Sequence, residues 1–350
     1  MTTNIAFIGF GGVGQALAEI LRDRKKSLLT TYGLDAKVVA VADVMKGSVY
    51  HPDGLKIDEL LTAVREKGTV EAYEGASQVT TGLSSMETIT KTNADVIVEV
   101  TFTDVNTGEP AITHCRTAFE HGKSVVTTNK GPVALAYREL AELAERNHAF
   151  FGFEGTVMSG TPALRMPKET LAGNQITEIR GILNGTTNYI LTEMEKGQSY
   201  KDSLEKAQNL GYAEADPTSD VEGYDARYKA AILSNYIMDT PISHTDVECK
   251  GISDLTLEQV QSALQEGKRW KLLARITREN GKVKASVKPE CIENSDPLSS
   301  VTGATNGILY ECDLSGPILL TGAGAGLQET GFSLLIDLIH YQKEKKLAKI

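Results

Sequence analysis

The fold is decided near the N-terminus, where the apolar run Ile5-Ala6-Phe7-Ile8 leads directly into Gly9-Phe10-Gly11-Gly12-Val13-Gly14. This glycine spacing, between a predicted strand and a predicted helix, is typical of a dinucleotide-binding turn. Glycines there allow a tight turn and let backbone N–H groups approach a pyrophosphate at the start of the helix. The sequence therefore predicts that a coenzyme is bound by Gly9, Phe10, Gly11, Gly12, Val13 and Gly14.

A second coenzyme signal lies at the end of the next predicted strand, Lys37–Ala42, which is followed by Asp43. An acidic residue at this place accepts hydrogen bonds from the adenosine ribose. The interval from the glycines exceeds the usual spacing of about 20 residues, so we expect an extended first helix (Gly14–Arg24) and a loop around Tyr32-Gly33. The carboxylate favours NAD, whereas Lys46 would offset its repulsion of a 2′-phosphate. The choice between NAD and NADP stays open.

Strands and helices alternate through the first third of the chain. Val96–Val100 and Ser124–Thr128 have the apolar, β-branched character of buried parallel strands, and a helix-like run separates them. This alternation predicts parallel pairing with right-handed crossovers. Thr101, Thr103 and Lys130 follow these strands, so we expect them at the carboxyl edge of the sheet, where ligands bind.

From Phe150 onward the sequence changes in character. Strands are predicted at Ile176–Leu183, Lys271–Thr277 and Lys282–Val287, and helices from near Thr186, at Ala226–Tyr236 and at Phe332–His340. A glycine-rich turn, Gly322–Gly326, precedes the last helix. It is either a structural turn or a cover for bound coenzyme, and the second reading makes Gly324 a coenzyme contact.

A compact group of ionisable residues lies in the middle of the chain. Gly211-Tyr212-Ala213-Glu214-Ala215-Asp216-Pro217 is followed by Asp220, Asp225 and Lys229. Asp225 and Lys229 are four residues apart and share one face of a helix. The apolar residues 230–233 favour a largely buried helix over one that carries an exposed ion pair. A lysine beside carboxylates in a partly buried cleft can donate a proton to a carbonyl oxygen, which predicts an enzyme that moves a hydride and a proton together.

Composition excludes several classes of protein. The 350 residues carry 36 basic and 46 acidic side chains, a formal net charge of −10, which argues against a nucleic-acid or anionic-membrane surface. The four cysteines form no CxxC pair, as expected for reduced thiols. No signal peptide and no membrane span is recognised. These features predict a cytoplasmic enzyme that acts on a small molecule, without nucleic-acid or membrane partners.

Five stretches of the chain carry motifs of one known family, in that family's order. They are the N-terminal glycines, Val125–Pro132, Gly181–Leu191, Gly211–Lys229 and Gly322–Gly326. The most specific are Leu-Asn-Gly-Thr-Thr-Asn-Tyr at 183–189 and Gly-Tyr-Ala-Glu-Ala-Asp-Pro at 211–217. On these motifs the chain resembles the homoserine dehydrogenases over nearly its whole length.

The resemblance implies the NAD(P)-dependent interconversion of L-homoserine and L-aspartate 4-semialdehyde, in the pathway to threonine, methionine and isoleucine. It implies that Lys229 is the general acid/base with Asp225 as its substrate-binding neighbour, and that Lys130 is a catalytic lysine near the cofactor and the substrate. The substrate-binding residues would be Asn184, Thr186, Gly211, Tyr212, Glu214, Asp220 and Asp225. A monovalent cation, Na⁺ or K⁺, would be held largely by carbonyl oxygens in a loop that contains Glu154, Val157, Ser159 and Thr161.

The resemblance also implies an α/β architecture with three regions. A Rossmann-type NAD(P)-binding domain with a parallel sheet would span residues 1–133, and an α+β catalytic domain 153–304. Residues 134–152 and 305–350 would form a dimerisation region that packs on the first domain of a homodimer. We expect the short form, with neither a regulatory ACT domain nor a fused aspartate kinase.

Three other readings compete with this one. Another small NAD(P)-dependent amino-acid or imine reductase would explain the glycine turn but not residues 183–191 or 214–229. Aspartate-semialdehyde dehydrogenase needs a nucleophilic cysteine, and Cys115 lies in a helix-like run without a suitable motif. A non-catalytic sensor of nicotinamide coenzyme predicts that Lys229 is dispensable.

Overall fold

The computed structural model describes residues 2–102, 104, 106–279 and 281–347. The chain divides into a first unit, Met1–Thr156 with Gly326–Ile350, and a second unit, Val157–Ala325. Its strands are β1 (Thr2–Ile8), β2 (Asp35–Asp43), β3 (Gly47–Tyr50), β4 (Thr80–Thr81), β5 (Val96–Glu99), β6 (Ser124–Thr127), β7 (Phe151–Gly152), β8 (Ile176–Ile182), β9 (Glu248–Cys249), β10 (Lys268–Glu279), β11 (Lys282–Glu293), β12 (Thr305–Cys312) and β13 (Gly316–Ala323). Its helices are α1 (Gly12–Asp23), α2 (Lys25–Ser27), α3 (Ile57–Lys67), α4 (Ser85–Lys91), α5 (Ala111–Glu120), α6 (Lys130–Leu135), α7 (Tyr137–Arg146), α8 (Gly155–Met158), α9 (Arg165–Glu169), α10 (Gly185–Glu195), α11 (Tyr200–Asn209), α12 (Thr218–Val221), α13 (Tyr224–Tyr236), α14 (Leu257–Gln265) and α15 (Leu327–Leu347).

The sheet of the first unit has the strand order β4-β3-β2-β1-β5-β6-β7. Strands β2, β1, β5, β6 and β7 pair in parallel, whereas β3 and β4 pair antiparallel at one edge. The chain runs outward from β1 to β2 and then returns to β5 on the other side of β1. The topological switch point therefore lies between β1 and β5, which is where ligands bind in open α/β sheets. This confirms the predicted Rossmann-type parallel sheet.

Both faces of this sheet are covered, which explains why its strands read as continuous apolar runs. On one face Phe7 belongs to a cluster with Leu17 of α1 and Leu338 of α15. On the other face Ile8 belongs to a cluster with Phe119 of α5. The last helix, α15, therefore belongs to the first unit.

The interval between the glycines and Asp43 is filled as expected by an extension of the first helix. After α1, the chain continues through α2 and a π-helical turn, Leu28–Tyr32. It ends at Gly33, whose φ of +67° is in the left-handed region that favours glycine. These extra helical residues account for the long interval between the glycine turn and Asp43 at the end of β2.

The second unit contains a six-stranded sheet in the order β13-β12-β8-β10-β11-β9. Its neighbours are antiparallel except for the parallel pair β9 and β11. Strands β10 and β11 extend well beyond the predicted segments and pair over their whole length, from Lys268 with Glu293 to Glu279 with Lys282. The predicted α+β character of this region is confirmed.

One predicted boundary is wrong. Residues 305–325 were expected to return to the first domain, but they form β12 and β13 and lie in the second unit. The cause is long-range pairing, because β12 inserts between β13 and β8. Tyr310 is consequently fully buried and donates a hydrogen bond to the carbonyl of Ala163 at 2.5 Å.

None of the helices in the described part of the chain combines the length and apolarity that a membrane crossing needs.

Candidate active site

The glycine turn between β1 and α1 fits a bound dinucleotide. Gly9 has φ of +88°, and a Cβ there would lie 2.5 Å from the carbonyl oxygen of Val100, so only glycine fits beside β5. A Cβ on Gly14 would lie 3.2 Å from the oxygen of Gly9. A Cβ on Gly11 would meet no protein atom within 4 Å, so its position faces open space. The turn is packed closely on the protein side and leaves room for a phosphate beside Gly11.

Asp43 ends β2 and is tied to the glycine turn. Its Oδ2 accepts a hydrogen bond from the N–H of Phe10 at 2.7 Å. Its Oδ1 accepts from the N–H groups of Met45 at 2.9 Å and Lys46 at 3.0 Å, and the Lys46 ammonium lies 3.7 Å from Oδ2. Burial alone would raise the pKa of Asp43, but these donors outweigh it and the pKa lies below its ordinary value. Asp43 is therefore a preorganised anion at the carboxyl end of β2, beside the glycine turn.

The ends of β5 and β6 carry further predicted residues. Thr101 donates its hydroxyl to Oε1 of Glu99 at 2.5 Å. Lys130 is half-buried and is the first residue of α6, so β6 and a short turn place it at the carboxyl edge of the sheet. Thr103 lies outside the described residues. Glu99, which the sequence analysis did not single out, is fully buried at the end of β5.

In the second unit, Asn184 brings two of the predicted carboxylates together. It is the N-cap of α10, and its Oδ1 accepts from the N–H of Thr187 at 2.9 Å. Its Nδ2 donates to Asp220 Oδ1 at 2.7 Å and to Asp225 Oδ2 at 3.1 Å. Burial, with a further contribution from the negative charge of Asp225, raises the pKa of Asp220. One amide therefore fixes both the start of a helix and the position of two acids.

Lys229 completes this cluster. Its side chain is only 7% exposed, and Nζ lies 2.7 Å from Asp225 Oδ2. Nζ also donates to the carbonyl of Leu183 at 2.6 Å. Asp225 and Lys229 meet because they are one turn apart on α13, most of which is buried, as predicted. An amine held by a carboxylate and a carbonyl has a fixed direction, which suits proton transfer to a bound oxygen.

Of the remaining predicted substrate residues, Thr186 and Tyr212 contact each other at the start of α10, whereas Glu214 lies in the loop beside α11. The Thr186 hydroxyl donates to the carbonyl of Tyr212 at 2.6 Å, and the Tyr212 ring packs on Tyr189 with centroids 5.0 Å apart. Gly211 has φ of +76°, which explains a glycine at this bend. The Glu214 side chain is exposed, and its carbonyl accepts a hydrogen bond from the Gln208 amide at 3.0 Å. The structure therefore places Glu214 in the loop beside α11 but does not pair it with Lys229.

The predicted cation residues are divided by the boundary between the units. Glu154 is buried in the first unit, where its N–H donates to Asp337 Oδ2 at 3.1 Å. Val157, Ser159 and Thr161 lie in the second unit. Ser159 is buried with φ of +49°, an uncommon value for a residue other than glycine. These residues offer hydroxyl and carbonyl oxygens, the ligand type that hard cations prefer.

The segment Gly322–Gly326, predicted as a turn, begins inside β13, since Gly322 and Ala323 are the last two residues of that strand, and its first glycines pack closely within the second unit. A Cβ on Gly322 would lie 2.1 Å from the Thr161 hydroxyl, and one on Gly324 would lie 2.1 Å from Asn306 Nδ2. Asn306, which the sequence analysis missed, is 1% exposed, and within the described residues neither atom of its amide has a hydrogen-bond partner. Its only sequence signal is an amide at the start of an apolar strand.

Two family models match the chain. The model described as homoserine dehydrogenase matches residues 162–339, and the model for the NAD-binding domain of homoserine dehydrogenase matches residues 9–154. Together they cover every predicted site residue except Val157, Ser159 and Thr161, which lie between the two matched ranges. The match does not depend on the N-terminal glycines alone.

Individual relatives agree with these models. The NAD(+)-dependent homoserine dehydrogenase of Pseudomonas canavaninivorans is 45% identical over 337 residues, covering 96% of this chain and 95% of that protein. A homoserine dehydrogenase of Methanocaldococcus jannaschii is 41% identical over 98% of this chain and all of that protein. Among solved structures, a hyperthermophilic archaeal homoserine dehydrogenase in complex with NADPH has a TM-score of 0.83 at 30% identity, covering 98% of both chains.

Proposed function

The chain belongs to the homoserine dehydrogenase family, and on this premise we propose that its Lys229 moves the proton that accompanies hydride transfer. The protein is an NAD(P)-dependent homoserine dehydrogenase that interconverts L-homoserine and L-aspartate 4-semialdehyde. The assignment sets aside the alternative reductases and the non-catalytic sensor. When bound, the nicotinamide accepts or returns the hydride.

The geometry of Lys229 carries the proposal. Its ammonium is held 2.7 Å from Asp225 Oδ2 and 2.6 Å from the Leu183 carbonyl. In homoserine oxidation, Lys229 as a neutral amine takes the hydroxyl proton; in the reverse direction the ammonium returns a proton to the aldehyde oxygen. Asp225 stabilises the ammonium form through its negative charge. Asn184 keeps Asp225 in place, so the pair is ready before substrate arrives.

Substitution of Lys229 tests this role. General acid/base catalysis typically contributes 10²–10⁴-fold, so Lys229→Ala should lower kcat by about that factor. The affinity for NADH, measured by energy transfer from the protein's fluorescence to the coenzyme, should change little. Lys250→Ala is the matched control, because Lys250 forms an i,i+4 pair with Asp254 in the same unit but is exposed. Near-wild-type turnover in Lys229→Ala would reject the assignment.

The other site residues divide into coenzyme and substrate groups. Gly9 to Gly14 would hold the pyrophosphate, Asp43 the adenosine ribose, and Thr101, Lys130 and Gly324 the nicotinamide side. Asn184, Thr186, Gly211, Tyr212, Glu214, Asp220 and Asp225 would hold the amino acid. Gly11→Val tests the first group, since its side chain would occupy the space beside the turn. That variant should fold and lose coenzyme binding, and retained binding would contradict the assignment.

A monovalent cation is the second part of the proposal. Glu154, Val157, Ser159 and Thr161 would supply its oxygen ligands, and the left-handed backbone of Ser159 supports a specialised loop. The melting temperature and the rate should both rise when K⁺ or Na⁺ replaces choline at constant ionic strength. No change on replacement would contradict a cation site.

Assembly and location complete the proposal. We place the protein in the cytoplasm as a homodimer, and the strand β13 supports association because an apolar edge strand is a template for pairing with another chain. Residues 318–320 on this edge are half-buried isoleucine and leucines, and Leu314 beside it is 76% exposed. Ile318→Lys should shift the mass measured by light scattering from dimer to monomer. A monomeric wild-type protein would contradict the proposal.

A further inference from the structure

Glu99 is a buried carboxylate to which no part of the proposed mechanism assigns a role. It is the last residue of β5 and is fully buried. β5 pairs with β1 at the topological switch point, and the next residue, Val100, packs against Gly9 of the coenzyme turn. Glu99 therefore lies at the part of the sheet where α/β proteins of this topology bind their ligands.

Both oxygens of Glu99 face groups that can donate hydrogen bonds. Oε1 accepts from the Thr101 hydroxyl at 2.5 Å and its N–H at 3.4 Å, and lies 3.2 Å from His114 Nδ1. Oε2 accepts from the side-chain amide of Asn129, and the Thr127 hydroxyl, 3.4 Å from Oε2, donates to the backbone carbonyl of Glu99 at 2.8 Å. An ionised carboxylate is an acceptor only, so it can satisfy all of these groups. With a proton on Nδ1, the His114 ring is a further donor to Glu99.

These contacts join two turns that are separate in sequence. Thr101 follows β5, whereas Asn129 is the N-cap of α6 and directly precedes Lys130. The side chain of Glu99 thus fixes the distance between a turn expected to line the nicotinamide and the turn that carries Lys130. Loss of its oxygens would free both turns at once.

We propose that Glu99 is a positioning residue of the coenzyme site and that its buried charge makes the site favour oxidised over reduced coenzyme. The inference rests on the proposed coenzyme site. The oxidised nicotinamide ring is a cation and the reduced ring is neutral, so a fixed anion at the switch point stabilises only the oxidised form. Charge interactions of this kind are stronger in a buried site than in water.

Coenzyme binding without homoserine tests the proposal. The Kd of NADH is measured by fluorescence titration and that of NAD⁺ by competition, for the wild type and Glu99→Gln. We expect Glu99→Gln to raise the Kd of NAD⁺ about tenfold more than that of NADH, a difference of 1.4 kcal/mol. A purely structural role would change both constants by the same factor, and an unchanged ratio would overturn the proposal.

Two further variants serve as controls for the effect of Glu99→Gln. Glu99→Asp keeps the charge but shortens the reach, so both Kd values should rise together while their ratio stays within about threefold of the wild type. If circular dichroism shows that Glu99→Gln does not fold, Glu99→Asp tests the proposal instead. A shifted ratio of the two Kd values in Glu99→Asp, or no rise in either Kd, would then overturn the proposal. Glu139→Gln removes an exposed carboxylate that pairs with Arg116 in the same unit and should leave both constants unchanged. Because no substrate is present, failure of the Lys229 assignment would not alter these results, whereas a wild type that binds neither coenzyme would refute the coenzyme site itself.

Discussion

The carboxylate of Asp43 accepts a hydrogen bond from the N–H of Phe10 at 2.7 Å, so the end of β2 is fastened to the second residue of the glycine turn. One side chain thus supports the shape of the turn and presents a negative charge beside it. The N–H groups of Met45 and Lys46 hold the other carboxylate oxygen. The position of the charge is fixed before coenzyme binds.

We expect this fixed charge to favour NAD over NADP, because it repels a 2′-phosphate and accepts from a 2′-hydroxyl. Asp43→Asn keeps one acceptor oxygen for Phe10 but removes the charge and the oxygen that accepts from Met45 and Lys46. The ratio of kcat/KM for NAD to that for NADP should fall about tenfold or more, which is at least 1.4 kcal/mol, and the melting temperature should fall less than in Asp43→Ala. Asp43→Ala should lower both the ratio and the melting temperature. An unchanged ratio in Asp43→Asn would show that the charge does not discriminate.

Two substitutions of Asn184 should distinguish its role in capping α10 from its role in positioning Asp220 and Asp225. Asn184→Ala removes the cap of α10, which costs about 1 kcal/mol of unfolding free energy, and releases Asp220 and Asp225. Asn184→Ser restores a capping oxygen but not the amide donor. Both variants should lose at least about tenfold in kcat, or 1.4 kcal/mol, whereas only the alanine variant should lose stability in urea. Recovery of kcat in the serine variant would mean that the amide contacts to the two acids are dispensable.

Glu214 should act on substrate affinity, and its exposed side chain is accessible to a bound amino acid. A charge-assisted hydrogen bond contributes roughly 1.5–3 kcal/mol, so Glu214→Gln should raise KM for homoserine on the order of 10- to 100-fold. The KM for coenzyme should be preserved. Glu205→Gln, on the exposed face of α11, is the control. A lower melting temperature with an unchanged homoserine KM would instead assign Glu214 a structural role.

Local spacing predicted the parts of the site that neighbouring residues build. The i,i+4 placement of Asp225 and Lys229 predicted their contact, and the structure confirms it at 2.7 Å. The glycine turn was predicted for the same reason, since strand, turn and helix are consecutive. Asn184 entered only through the family resemblance, because the acids it binds lie 36 and 41 residues away.

Features that depend on pairing between distant parts of the chain could not be predicted from the sequence. Glu99 lay within the predicted strand Val96–Val100 and was not singled out, because its donors come from elements up to 30 residues further along the chain. Residues 305–325 were assigned to the wrong region because their neighbour in the sheet, β8, lies more than a hundred residues earlier. Periodicity identifies a strand but does not state which sheet it joins.

Lys271 provides a prediction about stability and pH. It is fully buried on β10, where Nζ donates to Asn188 Oδ1 at 3.1 Å and to the Val301 carbonyl at 2.7 Å. Burial lowers the pKa of Lys271 to about 8, with Glu195 partly opposing the shift. The folded protein therefore releases this proton at a lower pH than the unfolded chain, whose lysine keeps its ordinary value of 10.5.

The sign of the effect follows from proton linkage. Between about pH 8 and 10.5 the unfolded chain binds more protons at Lys271 than the folded protein does, so this residue's contribution to stability rises with pH. The rise is at most roughly 3 kcal/mol, from 1.36 kcal/mol per pKa unit. Lys271→Met abolishes it, and Lys250→Met, an exposed lysine in the same unit, is the control. Urea unfolding at pH 7, 8, 9 and 10 should show the wild type gaining stability relative to Lys271→Met above pH 8 and not below it. A difference that stays constant over this range would mean that Lys271 keeps its proton in the folded state.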